Sequence, residues 1–203
     1  MSKLGRPLAM TVEDRRQEIF NVAEKLFGEQ GFEHVTMSQI AIEAGMSKKT
    51  LYVYFSDKRE LLKSLVSSSY IWSDDQLVLE QSSPIEYLKQ CLITIATHVL
   101  SERHIKLCRL AIAEQVNIEG STQTFYEMGI STSRNHLMHA INQIPESQLK
   151  LQLSTEVMSD LLFGATIAKP FIDFLLIAKE VDFVEINNTI SEAIENCFDS
   201  HIL

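Results

Sequence analysis

The chain has 203 residues, of which 45% are hydrophobic and 22% are charged, as in many globular proteins. With only 7 glycines and 4 prolines, collagen-like and loop-dominated chains are excluded, and long helices are favoured over many short strands. The formal net charge of −9 excludes a uniformly basic surface for nucleic acid, so any such site must be local.

Four helices with very short connections are predicted over residues 11–66. Thr11 and Thr36 each precede a run of helical periodicity, and each has a partner three residues later that can complete a capping box. Gly45 ends the second helix, because glycine adopts a positive φ at little cost. Ser47 begins a short third helix. Residues 1–66 hold ten basic and nine acidic side chains, a net charge of +1.

Longer helices are predicted in the rest of the chain, where eight basic and eighteen acidic side chains give a net charge of −10. Pro84 suits the first turn of a helix, and Pro170 predicts a kink or break. The apolar stretch Leu161–Ala178 is interrupted by charges and falls short of a membrane span of about 20 residues, so we expect a buried helix and no membrane partner. No region alternates with the period of a strand, so the fold is predicted to be all-α. The later helices are predicted at Ile105–Val116, Phe125–Ile144, Leu151–Ala178 and Phe183–Cys197.

Two of the predicted helices, at residues 36–44 and 47–54, are joined by a turn at Gly45, which is typical of a helix-turn-helix. Short polar and cationic side chains at the start of the later helix can reach base edges and phosphates in a major groove. Hydroxyl and ammonium groups at the starts of the second and fourth helices suit phosphates, and a basic N-terminal arm can enter a minor groove. The predicted DNA-binding residues are Lys3, Arg6, Thr36, Ser47, Lys48, Lys49, Thr50, Tyr52, Tyr54 and Lys58.

Many residues in this region form one spaced pattern, namely Leu26, Phe27, Gly31, Phe32, Thr36, Ile40, Ala41, Ala44, Gly45, Thr50, Leu51, Tyr52, Tyr54, Phe55, Lys58 and Leu61. With this pattern, residues 19–66 resemble the N-terminal domain of the TetR family of bacterial transcription regulators. The resemblance implies that Thr36, Tyr54 and Lys58 contact phosphates. It also implies a C-terminal domain that dimerises and binds an effector. The resemblance also implies that four residues lie on or beside the recognition helix, namely Lys48, Lys49, Thr50 and Tyr52.

We therefore predict a DNA-binding domain at residues 1–66 and a helical effector-binding and dimerisation domain at residues 67–203. A dimer doubles the base contacts of one short recognition helix on a palindromic site. The apolar segments Leu151–Ala178 and Phe183–Phe198 are the predicted dimer interface. Polar groups on apolar stripes, with bulky side chains nearby, predict a pocket for a small, mainly apolar molecule. The predicted pocket residues are Trp72, His98, Arg109, Glu114, Phe125, Met128, Asn135, His136, Phe163 and Asp173.

The predicted function is a repressor that a small effector releases from a palindromic operator by shifting a conformational equilibrium, with no cofactor. A cytoplasmic protein is expected, because the N-terminus has no signal-peptide pattern and three widely separated cysteines indicate a reducing compartment.

Two kinds of alternative remain open from the sequence. One is a regulator that responds to thiol oxidation through Cys91 or Cys108, or to a metal bound by His136 and His139, although no Cys-x-x-Cys pair is present. The other, more remote, is a helical enzyme that uses Cys108 with His104. No enzyme is expected, because the glycine-rich phosphate loop, the Gly-x-Ser-x-Gly motif and the His-Glu-x-x-His motif are all missing.

Overall fold

The computed structural model describes residues 10–68, 83–113 and 126–199, apart from the side chain of Met128. Within these residues the chain is helical, with one isolated bridge between Leu149 and Phe198 and no strand. The all-α prediction is therefore confirmed. None of the described helices is long and apolar enough to cross a membrane. The predicted site residues that lie outside the described ranges are Lys3, Arg6, Trp72, Glu114 and Phe125.

The four helices predicted in the N-terminal part are present, and their starts follow the predicted caps. The Thr11 hydroxyl oxygen accepts a hydrogen bond from the backbone N–H of Asp14 at 3.0 Å, and that of Thr36 accepts one from Gln39 at 3.2 Å. Gly45 has a φ of 62°, which glycine adopts without strain, and it turns the chain between the second and third helices. These helices are α1 (Val12–Gln30), α2 (Met37–Glu43), α3 (Lys48–Tyr54) and α4 (Lys58–Ser68).

The C-terminal part is built from six described α-helices around a second core. Buried leucine and isoleucine side chains of α5, α7, α8 and α10 fill this core, among them Leu92, Leu162 and Ile190. Two π-helical turns, Tyr126–Ser131 and Gly164–Ala168, lead directly into α7 and α9. The helices are α5 (Pro84–Val99), α6 (Glu102–Ala113), α7 (Thr132–Asn142), α8 (Thr155–Phe163), α9 (Lys169–Ile177) and α10 (Phe183–Cys197).

The segment predicted as a helix from Leu151 to Ala178 differs from the prediction in two respects. The helix begins only at Thr155, where the Ser154 side chain caps it. The π-helical turn then lies directly before Pro170, whose ring cannot pack against the carbonyl one turn earlier in a regular α-helix. The helix that was expected to be buried is buried only in part, because Leu162 and Ile167 are buried whereas Leu176 near its end is 72% exposed.

Helix α6 connects the two parts of the molecule. Its Leu107 side chain is buried in the core of the N-terminal helices, while neighbouring residues of α6 face the C-terminal part. At the start of α6, the Arg103 guanidinium forms an ion pair with Glu24 of α1 at 2.9 Å. The domain boundary at residue 66 stays a prediction, but any movement of α6 acts directly on the N-terminal core.

Candidate nucleic-acid interface and ligand cavity

The exposed face of α3 is the candidate nucleic-acid interface. Lys48, Lys49 and Thr50 are exposed on its first turn, and the Tyr52 ring is 44% exposed one turn later. The Lys48 ammonium lies 5.8 Å from the centre of the Tyr52 ring, so the charge and the ring share one side of the helix. On the opposite side, the buried Leu51 anchors α3 to the N-terminal core.

Ser47 and Thr50 are already bonded to each other at the start of α3. The Ser47 oxygen accepts from the backbone N–H of Thr50 at 3.0 Å, and the two hydroxyls lie 2.8 Å apart. These bonds cap the helix, and both side chains remain exposed to solvent. Their contact with DNA stays a prediction, as does that of Thr36, whose exposed hydroxyl caps α2.

Lys58 bonds to the backbone in this structure, and the phosphate contact predicted for it stays a prediction. Its ammonium donates to the backbone carbonyls of Phe32, Glu33 and Val35 at 2.5, 3.2 and 2.8 Å. An ammonium group has three donors, so all of them are used in this conformation. Lys58 therefore stabilises the connection between α1 and α2.

At the end of α3, Tyr54 faces the core and Val53 faces solvent. The Tyr54 side chain is half-buried and packs against the N-terminal core, so its ring supports α3 from behind. Val53 is 79% exposed and was missed by the sequence reasoning, although it lies out of register with the core residues Leu51 and Phe55. An exposed apolar side chain on a recognition helix can contact a thymine methyl group in the major groove.

A cavity of about 340 Å³ lies in the C-terminal part, among α5, α6, α7, α8 and α9. Its volume is near the lower end of the range of about 300–1,000 Å³ that is typical of small-molecule sites. Both π-helical turns reach the cavity, through Gly129 and Gly164. Such turns are rare and occur frequently at functional sites. Most of the wall is apolar, with side chains that include Val99, Ile130, Leu137, Phe163 and Phe171.

Of the predicted pocket residues whose side chains are described, Phe163 alone lines this cavity. His98 lies behind the wall, with its ring 4.9 Å from that of His104. The Arg109 guanidinium instead donates to the carbonyls of Phe174 and Leu175 at 2.6 and 2.9 Å, at the end of α9. The other three predicted residues lie on α7 and α9 but do not line this cavity, namely Asn135, His136 and Asp173.

His104 lines the cavity and was missed as a ligand-facing residue. Its side chain is buried, and burial together with the neighbouring His98 lowers its pKa to about 4. The imidazole is therefore neutral near pH 7, with one donor and one acceptor nitrogen. The sequence signal was its position four residues before Cys108, which places both side chains on one face of α6.

Ser159 on α8 is the second missed residue of the cavity wall. It is 1% exposed, and its hydroxyl oxygen has no hydrogen-bond partner within the described parts of the chain. Leaving a buried hydroxyl unbonded costs about 1–3 kcal/mol, so native proteins seldom do so without a reason.

An ion pair lies at the rim of the cavity. The Arg134 guanidinium of α7 bonds both carboxylate oxygens of Asp160 on α8, at 2.8 and 3.2 Å. This contact lowers the pKa of Asp160 and raises that of Arg134. The pair joins α7 to α8, and both side chains are partly exposed. The deeper wall of the cavity carries no full charge.

The geometry argues against the thiol and enzyme alternatives. All three cysteines are buried and reduced, and burial raises the pKa of Cys91 to about 11 and that of Cys108 to about 12. Thiols with such pKa values form little thiolate near pH 7, and thiolate is the form that reacts with oxidants and substrates. Cys108 with His104 therefore lacks the activated nucleophile that catalysis would need.

The metal alternative also lacks support. In the described ranges, no group of three or more histidine, cysteine, aspartate or glutamate side chains is placed to hold a metal ion. The Nε2 atom of His139 instead lies 2.8 Å from the side-chain amide nitrogen of Gln143, one turn along α7.

Comparison with known proteins places the strongest likeness in the N-terminal part. Residues 19–65 match the family described as "Bacterial regulatory proteins, tetR family". Over 51 residues the chain is 49% identical to the HTH-type transcriptional regulator HbdR of Aromatoleum sp. (strain CIB), covering 25% of this chain and 22% of that protein. Over 82 residues it is 34% identical to an HTH-type transcriptional regulator of Staphylococcus aureus (strain bovine RF122 / ET3-1), covering 39% of this chain and 44% of that protein. The matched segments thus span less than half the length of these relatives.

Solved structures resemble the chain over most of its length. A TetR-family protein of Mesorhizobium loti MAFF303099 has a TM-score of 0.75 at 21% identity, over 90% of this chain and 94% of that one. NalD, the secondary repressor of the MexAB-OprM multidrug efflux pump in Pseudomonas aeruginosa, has a TM-score of 0.65 at 21% identity, over 94% and 98%. At these identities the likeness establishes a shared fold, a helix-turn-helix domain followed by a helical domain. Residues 19–65 therefore match the DNA-binding segment of the TetR family of bacterial transcription regulators, and the chain as a whole shares the fold of TetR-family structures.

Proposed function

We propose that this protein is a homodimeric, sequence-specific DNA-binding repressor that a small, mainly apolar effector releases from a palindromic operator. TetR-family regulators bind DNA and small-molecule effectors and function as dimers. The observation that carries the proposal is that an exposed cationic α3 and a cavity of about 340 Å³ occur in one chain, linked by α6. The curated relatives are named transcriptional regulators, which favours a regulator over an enzyme.

The proposed reading of DNA depends on α3. Lys48 and Lys49 supply positive charge for phosphates, and charge of this kind gives affinity without sequence preference. Thr50 and Val53 are also exposed on α3, where they offer a hydroxyl and methyl groups to base edges. A local basic face of this kind is compatible with a net charge of −9, because the acidic side chains concentrate in the C-terminal part.

The proposed dimer face is an exposed apolar stripe along α8 and α9. Val157, Leu161, Ile172 and Leu176 recur at helical spacing and are exposed, although they are large aliphatic side chains. Helix α10 contributes less than the sequence suggested, because its isoleucine stripe is buried in the C-terminal core. The large apolar side chains that α10 exposes, Phe183 and Val184, lie in its first turn. We therefore centre the interface on α8 and α9.

The proposed coupling between effector and DNA runs through consecutive residues of α6. Leu107 is buried in the N-terminal core, Cys108 lines the cavity, and Arg109 binds the carbonyls at the end of α9. A ligand that displaces α6 therefore acts on the N-terminal helices and on the proposed dimer face together. Such a ligand shifts the equilibrium only if it binds one arrangement more tightly than the other.

Selection of bound duplexes from a random DNA pool, followed by affinity measured against salt, tests the DNA-binding part. We expect enrichment of a palindrome and binding that weakens steeply as salt is raised. Lys48→Ala should reduce the salt slope by about 1, whereas Thr50→Ala should change the preferred sequence. Lys106→Ala, an exposed lysine of α6, is the matched control and should leave both unchanged. Failure to enrich any sequence would overturn the proposal.

Sedimentation equilibrium tests the dimer. Leu176→Glu places a carboxylate in the proposed apolar face, and we expect it to produce monomers that fold but bind DNA poorly. Ile112→Glu is the matched control, because Ile112 is an exposed apolar residue of α6 outside the face. A Leu176→Glu protein that remains dimeric would show that the interface lies elsewhere.

A further inference from the structure

We infer that the cavity selects an uncharged, mainly apolar effector whose hydrogen-bonding group, a hydroxyl or a carbonyl, bonds the Ser159 side chain. The inference deepens the proposed function, on which its regulatory meaning rests. The binding preference itself can be measured without DNA.

The Ser159 hydroxyl is buried at the cavity wall and has no hydrogen-bond partner within the described residues. A helical serine or threonine can bond the carbonyl four residues before it, and Thr166 does so with the Leu162 carbonyl at 2.7 Å. Ser159 makes no such bond within the described parts of the chain, although it is equally buried and faces the cavity. Its O–H group can therefore donate to a carbonyl of a bound molecule, or its oxygen can accept from a hydroxyl.

The described wall of the cavity offers no unpaired charge to a ligand. Arg134 and Asp160 are its charged members, and they already form a bidentate pair at the rim. An anion bound deeper than this rim would lose its hydration without gaining a cation, unless it broke that pair. A cation faces the same cost toward Asp160. Buried His104 is neutral near pH 7 and supplies no charge.

The cavity is small and its wall is mainly apolar. Phe163, Phe171, Leu137 and Val99 are among the side chains that line its volume of about 340 Å³. A molecule with one ring and a short alkyl chain can bury nearly all of its apolar surface there. With a neutral polar end at Ser159, such a molecule leaves no buried polar group unbonded.

Isothermal titration calorimetry of the purified protein tests the inference with three probes of similar shape. The probes are propylbenzene, para-propylphenol and para-propylbenzoate, which carry no polar group, a neutral hydroxyl and a carboxylate. We expect the phenol to bind about fivefold more tightly than propylbenzene, since one hydrogen bond to a buried partner contributes a factor of this order. The benzoate should bind more weakly than the phenol by at least that factor.

Two variants assign the effect to Ser159. Ser159→Ala should bring the phenol to the affinity of propylbenzene while leaving propylbenzene binding unchanged. Thr166→Val removes a buried hydroxyl that is bonded within its own helix, and it should keep the order seen for the unaltered protein. Thermal unfolding of each variant without probe checks that it folds.

The inference is overturned if the phenol and propylbenzene bind equally to the unaltered protein, if the benzoate binds as tightly as the phenol, or if no probe binds. It is also overturned if Ser159→Ala keeps the preference for the phenol. Each of these results leaves the DNA selection described above untouched. Loss of DNA selection with the probe order intact would instead remove the proposed function and keep the cavity preference.

Discussion

The N-terminal and C-terminal parts of this chain solve different packing problems. In the N-terminal part, four helices close around a core of buried side chains, and the described polar groups at the helix starts are bonded locally. In the C-terminal part, helices with two π-helical turns surround a cavity of about 340 Å³ and leave the Ser159 hydroxyl without a partner in the described chain. The first arrangement suits a rigid DNA reader, and the second suits a receptor whose structure is completed by a ligand.

The largest expected effect compares leucines of the two parts. Leu51→Ala should lower the free energy of unfolding by about 3–5 kcal/mol, because it opens a hole in a filled core. Leu137→Ala should cost about 2–3 kcal/mol, because Leu137 already borders the cavity and loses fewer contacts. Urea unfolding at one protein concentration measures both. Equal losses would mean that the C-terminal part is as tightly packed as the N-terminal part.

Acidification should destabilise the C-terminal part in particular. Burial and His98 lower the pKa of His104 to about 4, so between pH 6.5 and 4 the unfolded chain binds a proton that the folded chain does not. The free energy of unfolding should therefore decrease as the pH is lowered from 6.5 to 4, by up to about 3 kcal/mol.

His104→Gln removes this titration, so the variant should lose less stability on acidification, with a smaller contribution remaining from His98. His34→Gln, at an exposed histidine of the N-terminal part, is the control for replacing a histidine by glutamine. Urea unfolding at a series of pH values measures all three. A His104→Gln protein with the original pH dependence would contradict the assignment.

Lys58 offers a comparison within the N-terminal part. Lys58→Met should lower the free energy of unfolding by about 1–3 kcal/mol, because three backbone carbonyls lose a charged donor. Lys63→Met, an exposed lysine of the same helix, should change it by less than about 0.5 kcal/mol. If Lys58→Met retained full stability and lost only DNA affinity, the phosphate contact predicted from the sequence would be restored.

The smallest expected effect concerns the cysteines. Because burial raises the pKa of Cys91 and Cys108 to about 11 and about 12, hydrogen peroxide should leave DNA affinity unchanged on the timescale of a binding assay. Cys91→Ala and Cys108→Ala should behave in the same way as the unaltered protein. A peroxide-dependent loss of DNA binding that either substitution abolishes would restore the thiol-sensor alternative.

The N-terminal part was predictable because its determinants are local. Caps such as Thr36 and Ser47 act on backbone groups within three residues, and Gly45 marks its turn by itself. The bonds that Lys58 makes could not be predicted, because its partners are carbonyls more than twenty residues earlier and no sequence pattern gives their positions. Its contact with a phosphate stays a prediction.

The cavity was predicted in general but not in its wall. Its lining comes from helices far apart in the sequence, so the direction of each side chain depends on how the helices pack. Phe163 was placed correctly, whereas Arg109 bonds to the end of α9 instead, and Ser159 was overlooked as an ordinary helical serine. A single serine or histidine in a helix carries no local signal of what it faces.

The most direct test of the account is the affinity of the selected palindrome, measured by fluorescence anisotropy with and without saturating para-propylphenol. Calorimetry on the same sample establishes that the probe is bound. If the cavity and α3 are coupled through α6, DNA affinity should fall at least about fivefold, and Ser159→Ala should need more probe for the same effect. A bound probe that leaves DNA affinity unchanged would contradict the claim that this cavity controls the DNA-binding part.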